Sequence, residues 1–433
     1  MKSSAIEAKY LVLDIGTSDI KCGCVDSKNK ILTQHHKKFP LIEDQHTFEI
    51  DFTLFSRIAQ NLLAECLLDQ TIREFKINAL LITSQAQTFV PVDSDFNPLR
   101  KGIVWLDERA IQEAAYLKER LPDFTVSSGF KQPLASLYVS KLLWLKQNES
   151  LVFKKAIAFP LINEYLAFKL TGKFFTDTTN FGMSGIYNFR QNELNQDILD
   201  ILGLQKSNFP KVGKAATIGE MIADRTQKGW NLNYKFPVYL CGNDQGASAC
   251  GAGVKEPGDL NINFGTAMVF YSLTETLTTN LTNNQIAGKH PIGDSYFLLN
   301  FENDYGIKIR MLKEKFFKYD TYDKLFKTYW QYQDVQERIP NVDVEEATIS
   351  EKGAHKLTAG VINHYLTRLK SHLDQIQKTT PIKNITLSGG MIKSEVWLNI
   401  LRDTLRASFI INNRAEAGLL GAVNIYLYNN RMN

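Results

Sequence analysis

Three short stretches of the 433-residue chain combine acids, hydroxyls and glycines in an order that could handle a polyphosphate. The first is Asp14-Ile15-Gly16-Thr17-Ser18, an acid at the end of an apolar run followed by glycine and two hydroxyls. A carboxylate held there could bind Mg²⁺ through water while Thr17 and Ser18 reach phosphate oxygens. The same residues would equally serve as an Asx-type turn, with Asp14 bonded to the backbone. The second stretch is Cys241-Gly242-Asn243-Asp244-Gln245-Gly246-Ala247-Ser248. A strand-like run ends in Cys-Gly and a helix of small residues follows, so Asp244 stands at a helix N-terminus, either capping it or projecting into a cleft. The small face of that helix, from Ala247 to Gly253, lets another backbone or a ligand come close. The third stretch runs from Ile385 through Gly389-Gly390 to Ser394, a strand meeting a helix through two glycines. Glycine there permits close approach of a nucleotide, although an isolated pair is usually a plain turn.

The elements that must position these residues are legible in part. Tyr10–Leu13 and Ile20–Val25 read as two strands joined by a tight Gly-Thr-Ser turn. A third strand is expected at Ile31–Thr33, an amphipathic helix over Phe52–Leu68, a buried strand at Ile77–Thr83 and a polar helix over Asp107–Leu121. His35-His36-Lys37-Lys38 reads as a solvated loop. A meander followed by alternating helices and strands points to a layered α/β domain. Shifting the first hairpin by ~249 positions lays Leu11–Ser18 over Leu260–Ala267, so that Gly16-Thr17 falls on Gly265-Thr266 and Asp14 on Asn263. Another strand-like run, Met268–Leu273, follows as Ile20–Val25 does in the first copy. The repeat predicts two related domains, whose facing turns could grip a polyphosphate between them.

Composition narrows the partners. Hydrophobic residues make up 44% and charged residues 22%, a globular balance, and the length favours two domains over one core. The net charge of +4 and the absence of a dense Lys/Arg track argue against nucleic acid. The polar first residues lack an apolar export segment and no run is long enough to span a bilayer, so a cytoplasmic protein without membrane contact is expected. The five cysteines form no CxxC pair and read as buried thiols, and the seven histidines show no zinc-ligand spacing.

In order along the chain, LVLDIGTSDIKCGCVD (11–26), TSQAQTFVPVD (83–93), NPLRKGIVWLDERA (97–110), CGNDQGASACGAGVKEPG (241–258), NFGT (263–266), TLSGGMIKSEVWLNILRDTL (386–405) and EAGLLGAV (416–423) resemble the FGGY carbohydrate kinases of the sugar kinase, heat-shock protein and actin superfamily. The likeness runs over nearly the whole length. It implies two actin-like (ribonuclease H-like) α/β domains with a catalytic cleft between them, divided here as 1–247 and 248–433. It implies Asp14, Gly16, Thr17 and Ser18 as a first phosphate turn, with Asp14 aiding Mg²⁺, and Gly265 and Thr266 as a second. Gly389, Gly390 and Ser394 fall at the adenosine side, and Asp244 at the general base. Gln85, Asp107 and Gln245 lie where members contact the sugar, with Arg109 orienting Asp107. ATP and Mg²⁺ are the implied cofactors, and a small sugar or polyol is the implied substrate. A homodimer is compatible with the likeness.

The chain also departs from the family pattern. Residues 339–360 are compressed and polar where members carry a longer segment, and the helix expected over Lys356–Asp374 lacks the usual small and acidic residues. Tyr138 replaces a small residue or proline, and Ser136 lies where glycerol-type members carry tyrosine. Gln85-Ala86-Gln87-Thr88 matches neither the xylulose- nor the glycerol-kinase pattern, leaving the member type open among xylulose-, gluconate- and glycerol-kinase-like. Gln85, Gln87, Asp107 and Gln245 make a polar pocket with no cationic cluster beside it, which favours a neutral sugar, a ketose such as xylulose first. The alternative from another class is a catalytically silent member that binds nucleotide or sugar as a sensor or assembly partner.

Overall fold

The computed structural model describes residues 8–318, 320–332, 350–412 and 416–431. Two mixed six-stranded sheets organise them. The first is built from β1 (Lys9–Ile15), β2 (Asp19–Asp26), β3 (Ile31–Lys38), β4 (Ile77–Ser84), β5 (Gly219–Met221) and β6 (Pro237–Asn243), in the order β5-β6-β4-β1-β2-β3. Its helices are α1 (Phe52–Leu68), α2 (Tyr138–Asn148), α3 (Ile162–Thr171) and α4 (Asp244–Gly251). The second sheet uses β7 (Asp259–Phe264), β8 (Met268–Thr274), β9 (Gln285–Lys289), β10 (Tyr296–Glu302), β11 (Asn384–Ser388) and β12 (Ile410–Ile411), in the order β9-β10-β8-β7-β11-β12. Around it lie α5 (Tyr305–Phe316), α6 (Tyr322–Gln331), α7 (Glu351–Thr379) and α8 (Glu395–Leu405), and the last helix is α9 (Ala417–Arg431).

The predicted repeat is visible as shared topology. Each sheet centres on an antiparallel hairpin, β1/β2 or β7/β8, extended on one side by a further antiparallel strand and on the other by two parallel strands. Because β1 is covered on both faces, it reads as a continuous apolar run rather than an alternating one. Leu11, Leu13 and Ile15 pack with α1 and α3, while Tyr10 and Val12 pack with α4 and α9. Side-chain alternation therefore sends Asp14 to the α4/α9 side.

The helix expected over Phe52–Leu68 forms with those bounds, started by Asp51, whose carboxylate accepts from the Leu54 N–H at 3.0 Å. Two expectations need correction. His35–Lys38 is not a loop but the end of edge strand β3, paired residue for residue with Asp19–Cys22. Its alternating exposed and half-buried pattern is that of an edge strand, and His35 Nε2 anchors on Asp69 Oδ2 at 2.9 Å. The polar helix begins at Ile111 rather than Asp107, because the Asp107 carboxylate is used to build the turn before it. Of the compressed segment, residues 339–349 lie outside the described residues, and the rest opens α7, which is capped by Ser350. All five cysteines are buried and free, as expected. Among the described residues no helix is long and apolar enough to cross a membrane.

The small-residue face of α4 meets a backbone, that of α9. A Cβ on Gly421 would lie 1.7 Å from the Ala247 carbonyl oxygen, and one on Gly251 1.9 Å from that of Ala417. α9 thus belongs to the core of the first sheet, through Leu419, Leu420, Val423 and Ile425, although it follows the second sheet in sequence. Gly421→Ala is expected to wedge the two helices apart and cost about 2–3 kcal/mol of overpacking, read as a lowered urea midpoint. An unchanged midpoint would show that the crossing has room to spare.

Candidate active site

β6 and α4 deliver Asp244. Asn243, not Asp244, caps the helix: its Oδ1 accepts from the Gly246 N–H at 2.6 Å. Asp244 is left at the first helical position, half-buried, with one oxygen accepting from the Gln245 N–H at 2.8 Å. Of the two readings open for Asp244, capping therefore falls to its neighbour. The turn before it is fixed from behind, where buried Asp177 accepts from the Gly242 N–H at 3.2 Å and Thr83 donates to the Gly242 carbonyl at 3.0 Å.

Asp14 lies at the end of β1, where the first turn of α9 closes over it. A Cβ on Gly418 would sit 2.4 Å from its carboxylate. Burial, and next the charge of Asp244, push the Asp14 carboxyl up to about 7, with Lys21 opposing. Burial likewise raises Asp244 to about 6, against the backbone N–H groups that favour its charged form.

The two Gly-Thr turns share their opening glycine but not their length: four residues separate the paired Ile15 and Ile20 of β1 and β2, and three the paired Phe264 and Met268 of β7 and β8. Gly16 N–H bonds the Asp19 carbonyl at 2.9 Å, and Gly265 N–H that of Ala267 at 3.1 Å. Thr17 Oγ1 accepts from the indole of Trp105 at 3.1 Å, and Ser18 and Thr266 are exposed. Gly265, Thr266, Gly390 and Ser394 come together on one cavity of about 480 Å³, along with Gly306, Arg310, Tyr322 and Lys393. The first turn and Asp14 do not line it. Gly389 supports the cavity from outside. Its φ of +99° and the 2.5 Å approach to the Phe264 carbonyl exclude a side chain, whereas the Cα of Gly390 faces open space. Ser394 is the N-cap of α8, accepting from the Trp397 N–H at 3.1 Å and donating to Asp323, so its hydroxyl is already engaged.

The residues expected around a sugar differ in what they have left to give. Gln85 is 3% exposed, and neither its amide oxygen nor its nitrogen has a partner among the described residues. Asp107 is fully buried and its oxygens are taken up by Phe48 N–H at 2.7 Å and by Arg109 through its backbone, Nε and Nη2 at 3.0, 2.8 and 2.7 Å. Arg109 therefore holds Asp107 in place, as expected. Gln245 is exposed on α4. Gln87 is turned away, its Oε1 accepting from the N-terminal Tyr138 N–H of α2 at 3.1 Å. Tyr138 itself fills core space against Phe89, its hydroxyl donating to the Phe159 carbonyl at 2.7 Å.

Three residues escaped the reading of the sequence. Trp105, 39% exposed, stands between the first turn and Asp107; an aromatic two residues before an acid was the available signal. Lys141 is fully buried and donates to the carbonyls of Val104 and Gln87 at 2.9 and 3.2 Å, joining the two segments that carry Trp105 and Gln85. Burial lowers its ammonium to about 7 against the pull of Asp107. A lysine flanked by Leu142 and Leu143 in an apolar helix was the clue. Gly306 at the start of α5 donates to the Thr266 carbonyl at 2.8 Å, and no local signal marks it.

Residues 9–251 match the model of the N-terminal domain of the FGGY family of carbohydrate kinases. Among curated proteins, the chain is 22% identical over 434 residues to the xylulose kinase of Bacillus subtilis (strain 168), covering 96% of this chain and 87% of that one. Among solved structures, a ligand-bound xylulose kinase from Lactobacillus acidophilus superposes with a TM-score of 0.87 at 22% identity, over 98% of this chain and 90% of that one. A gluconate kinase from the same organism gives 0.86 at 22% identity, over 99% and 90%.

The raised carboxyls carry a stability cost whose sign is fixed. Between about pH 4 and 7 the unfolded chain has released the Asp14 proton that the folded chain retains, so stability falls as pH rises through this window. Asp14→Asn is expected to raise the melting temperature at pH 8 by about 2–4 °C, without added metal or nucleotide, and to give no gain at pH 4. Equal melting curves at pH 8 would remove the claim that Asp14 is held at a cost.

Proposed function

The chain belongs to the FGGY family of carbohydrate kinases, and from that premise we propose that it moves the γ-phosphoryl group of ATP to a hydroxyl of a small neutral sugar or polyol, with Asp244 as general base. The observation that carries this reading is Asp244 itself. It is relieved of capping by Asn243, half-buried, and raised to about 6, so that at neutral pH it is ionised yet close enough in basicity to accept a proton. In the proposed step the substrate hydroxyl gives its proton to the Asp244 carboxylate as its oxygen bonds the γ-phosphorus. The bond from that phosphorus to the bridging oxygen breaks, and ADP leaves.

Thr17 and Ser18 on one side, and Thr266 on the other, would hold the phosphates with backbone N–H and hydroxyl groups, with Gly265 shaping the second turn. The cavity shared by Thr266, Gly390 and Ser394 suits the nucleoside end, with Arg310 and Lys393, neither paired with an acid among the described residues, on its wall to balance charge. Asp14 fits a hydrated divalent cation. It is a hard oxygen donor whose charge is disfavoured by burial and by Asp244, and among the described residues no cluster of three or more ligating side chains competes for a bare ion. Mg²⁺ bound there would neutralise the phosphates and stabilise the charge that develops on them. The proposed division of labour is residues 1–247 for sugar and the first turn and 248–433 for nucleotide, with α9 returning to the first sheet.

Gln85, with both ends of its amide unspent, together with exposed Gln245 and the Trp105 ring, favours hydroxyl recognition over recognition of a charged group. A ketose such as xylulose comes first, xylulose being the sugar named for two of the three relatives above. A coupled ADP-release assay over ketoses, aldoses, polyols and sugar acids tests the reading. Turnover is expected with one sugar class, and Asp244→Asn should reduce it by at least ~10²-fold while ATP still binds. Turnover should rise with pH through about 6, because Asp244 that already carries a proton cannot take up the one leaving the hydroxyl. Silence across the panel with ATP bound would favour the alternative, a silent member acting as a sensor or assembly partner. Thr266→Val is expected to raise the KM for ATP several-fold and leave that for the sugar nearly unchanged; an equal rise in both would remove the phosphate role.

A further inference from the structure

α1 and α3 face each other across a groove of about 380 Å³ that shares no residue with the site described above. Thr53, Ser56, Arg57, Gln60 and Asn61 follow helical spacing along α1, so one whole stripe of that helix is polar. Opposite them stand Tyr165 and Lys169, one turn apart on α3, and Asn97 closes one end. No carboxylate lines the groove.

Two observations set it apart from ordinary polar surface. The first is an excess of unanswered positive charge. Arg57 makes no hydrogen bond or ion pair with any described residue, whereas Arg100 and Arg109, elsewhere in the same lobe, are each paired with acids. Lys169 Nζ lies 5.2 Å from the centroid of the Tyr165 ring and has no acidic partner among the described residues. Arg225 donates to the Lys169 carbonyl at 3.5 Å, and burial followed by the charge of Arg225 holds the Lys169 ammonium below its ordinary value. Asp93, whose charge opposes the lowering of Lys169, and Asp51, whose charge acts on Tyr165, are both engaged with backbone: Asp51 accepts from Leu54 N–H at 3.0 Å, and Asp93 from Asp95 and Asn97 N–H at 3.0 and 2.9 Å.

The second is Tyr165. Only 1% of its surface is exposed and Phe52 packs edge-on against its ring at 5.1 Å, yet its hydroxyl, on the groove wall, has no hydrogen-bond partner among the described residues. The ring is packed, but the hydroxyl oxygen itself reaches the groove, so its proton is free for whatever occupies that space. An anionic oxygen would accept from that hydroxyl and answer both cations at once.

We propose that the groove between α1 and α3 binds a small metabolite carrying an oxyanion, phosphate or carboxylate, held by Arg57 and Lys169 with the Tyr165 hydroxyl and the amides of Asn61 and Asn97 as donors. Its volume accommodates a ligand of sugar-phosphate size. The Asn97 end leads to Arg100, which pairs with Glu49, and Glu49 in turn pairs with Arg109, the residue that holds Asp107.

Isothermal titration of the intact protein at fixed ionic strength, with excess ADP to fill the nucleotide cavity, tests this with two probes, inorganic phosphate and malonate. Binding of one probe is expected, and the one that binds names the class of oxyanion. Arg57→Gln and Lys169→Gln should each weaken that binding by at least tenfold, with melting temperature unchanged and, for Arg57→Gln, turnover at saturating substrate unchanged. Failure of both probes to bind, or binding that is equal in wild type and both variants, would overturn the proposal.

Discussion

The contact on which the rest depends is the backbone-to-backbone crossing of α4 and α9. With Gly421 against Ala247 and Gly251 against Ala417, the helices come closer than side chains on those faces would allow. The crossing fixes both acids of the site. Asp244 opens α4, and the first turn of α9, through Gly418, closes over the Asp14 carboxylate. Were the helices a side chain apart, water would enter beside Asp14 and its carboxyl would return toward an ordinary value. The raised titration of the pair follows directly from helix packing.

The same economy decides which polar groups stay available. Where the fold needs rigidity, hydrogen bonding is saturated: the Asp107 carboxylate is taken up by Arg109 and Phe48, and Lys141 by two carbonyls. On the proposed reading, capacity is left unspent where a ligand is to be met, as in the Gln85 amide and the Asn180 carbonyl oxygen, both buried without partners among the described residues. Asn180 donates to Ser84 at 2.8 Å, and the Ser84 hydroxyl donates to the Gln85 carbonyl at 2.9 Å, so the two unspent groups belong to one network. A buried amide with no partner is expensive in an empty site, and a hydroxyl-rich ligand offsets that cost on binding.

What the sequence made legible is what depends on neighbours in the chain. Phe52–Leu68 announced its helix by spacing, and the two hairpins announced themselves because a Gly-Thr turn between apolar runs is a local event. Asp244 was only half legible. Which of two adjacent residues caps a helix turns on one side-chain rotamer, and Asn243 took the role. His35–Lys38 was misread because an edge strand with one wet face has the composition of a loop, and only pairing with β2 distinguishes them. Gly306 and Gly418 were illegible, and Lys141 legible only as a lysine out of place, for a common reason: each matters through an atom far away in sequence, the Thr266 carbonyl, the Asp14 carboxylate, and the Gln87 and Val104 carbonyls.

The order of segments was legible too, but their packing was not, and the difference bears on movement. The chain leaves the first sheet after α4 and returns to it with α9, and the end of the one helix touches the start of the other, Gly251 against Ala417. A contact of that kind restrains translation of the lobes more than rotation about it, and Asp14 stands beneath the next residue of α9, Gly418. On the proposed reading, a rotation that gathers phosphate groups from both sides would leave Asp14 least displaced.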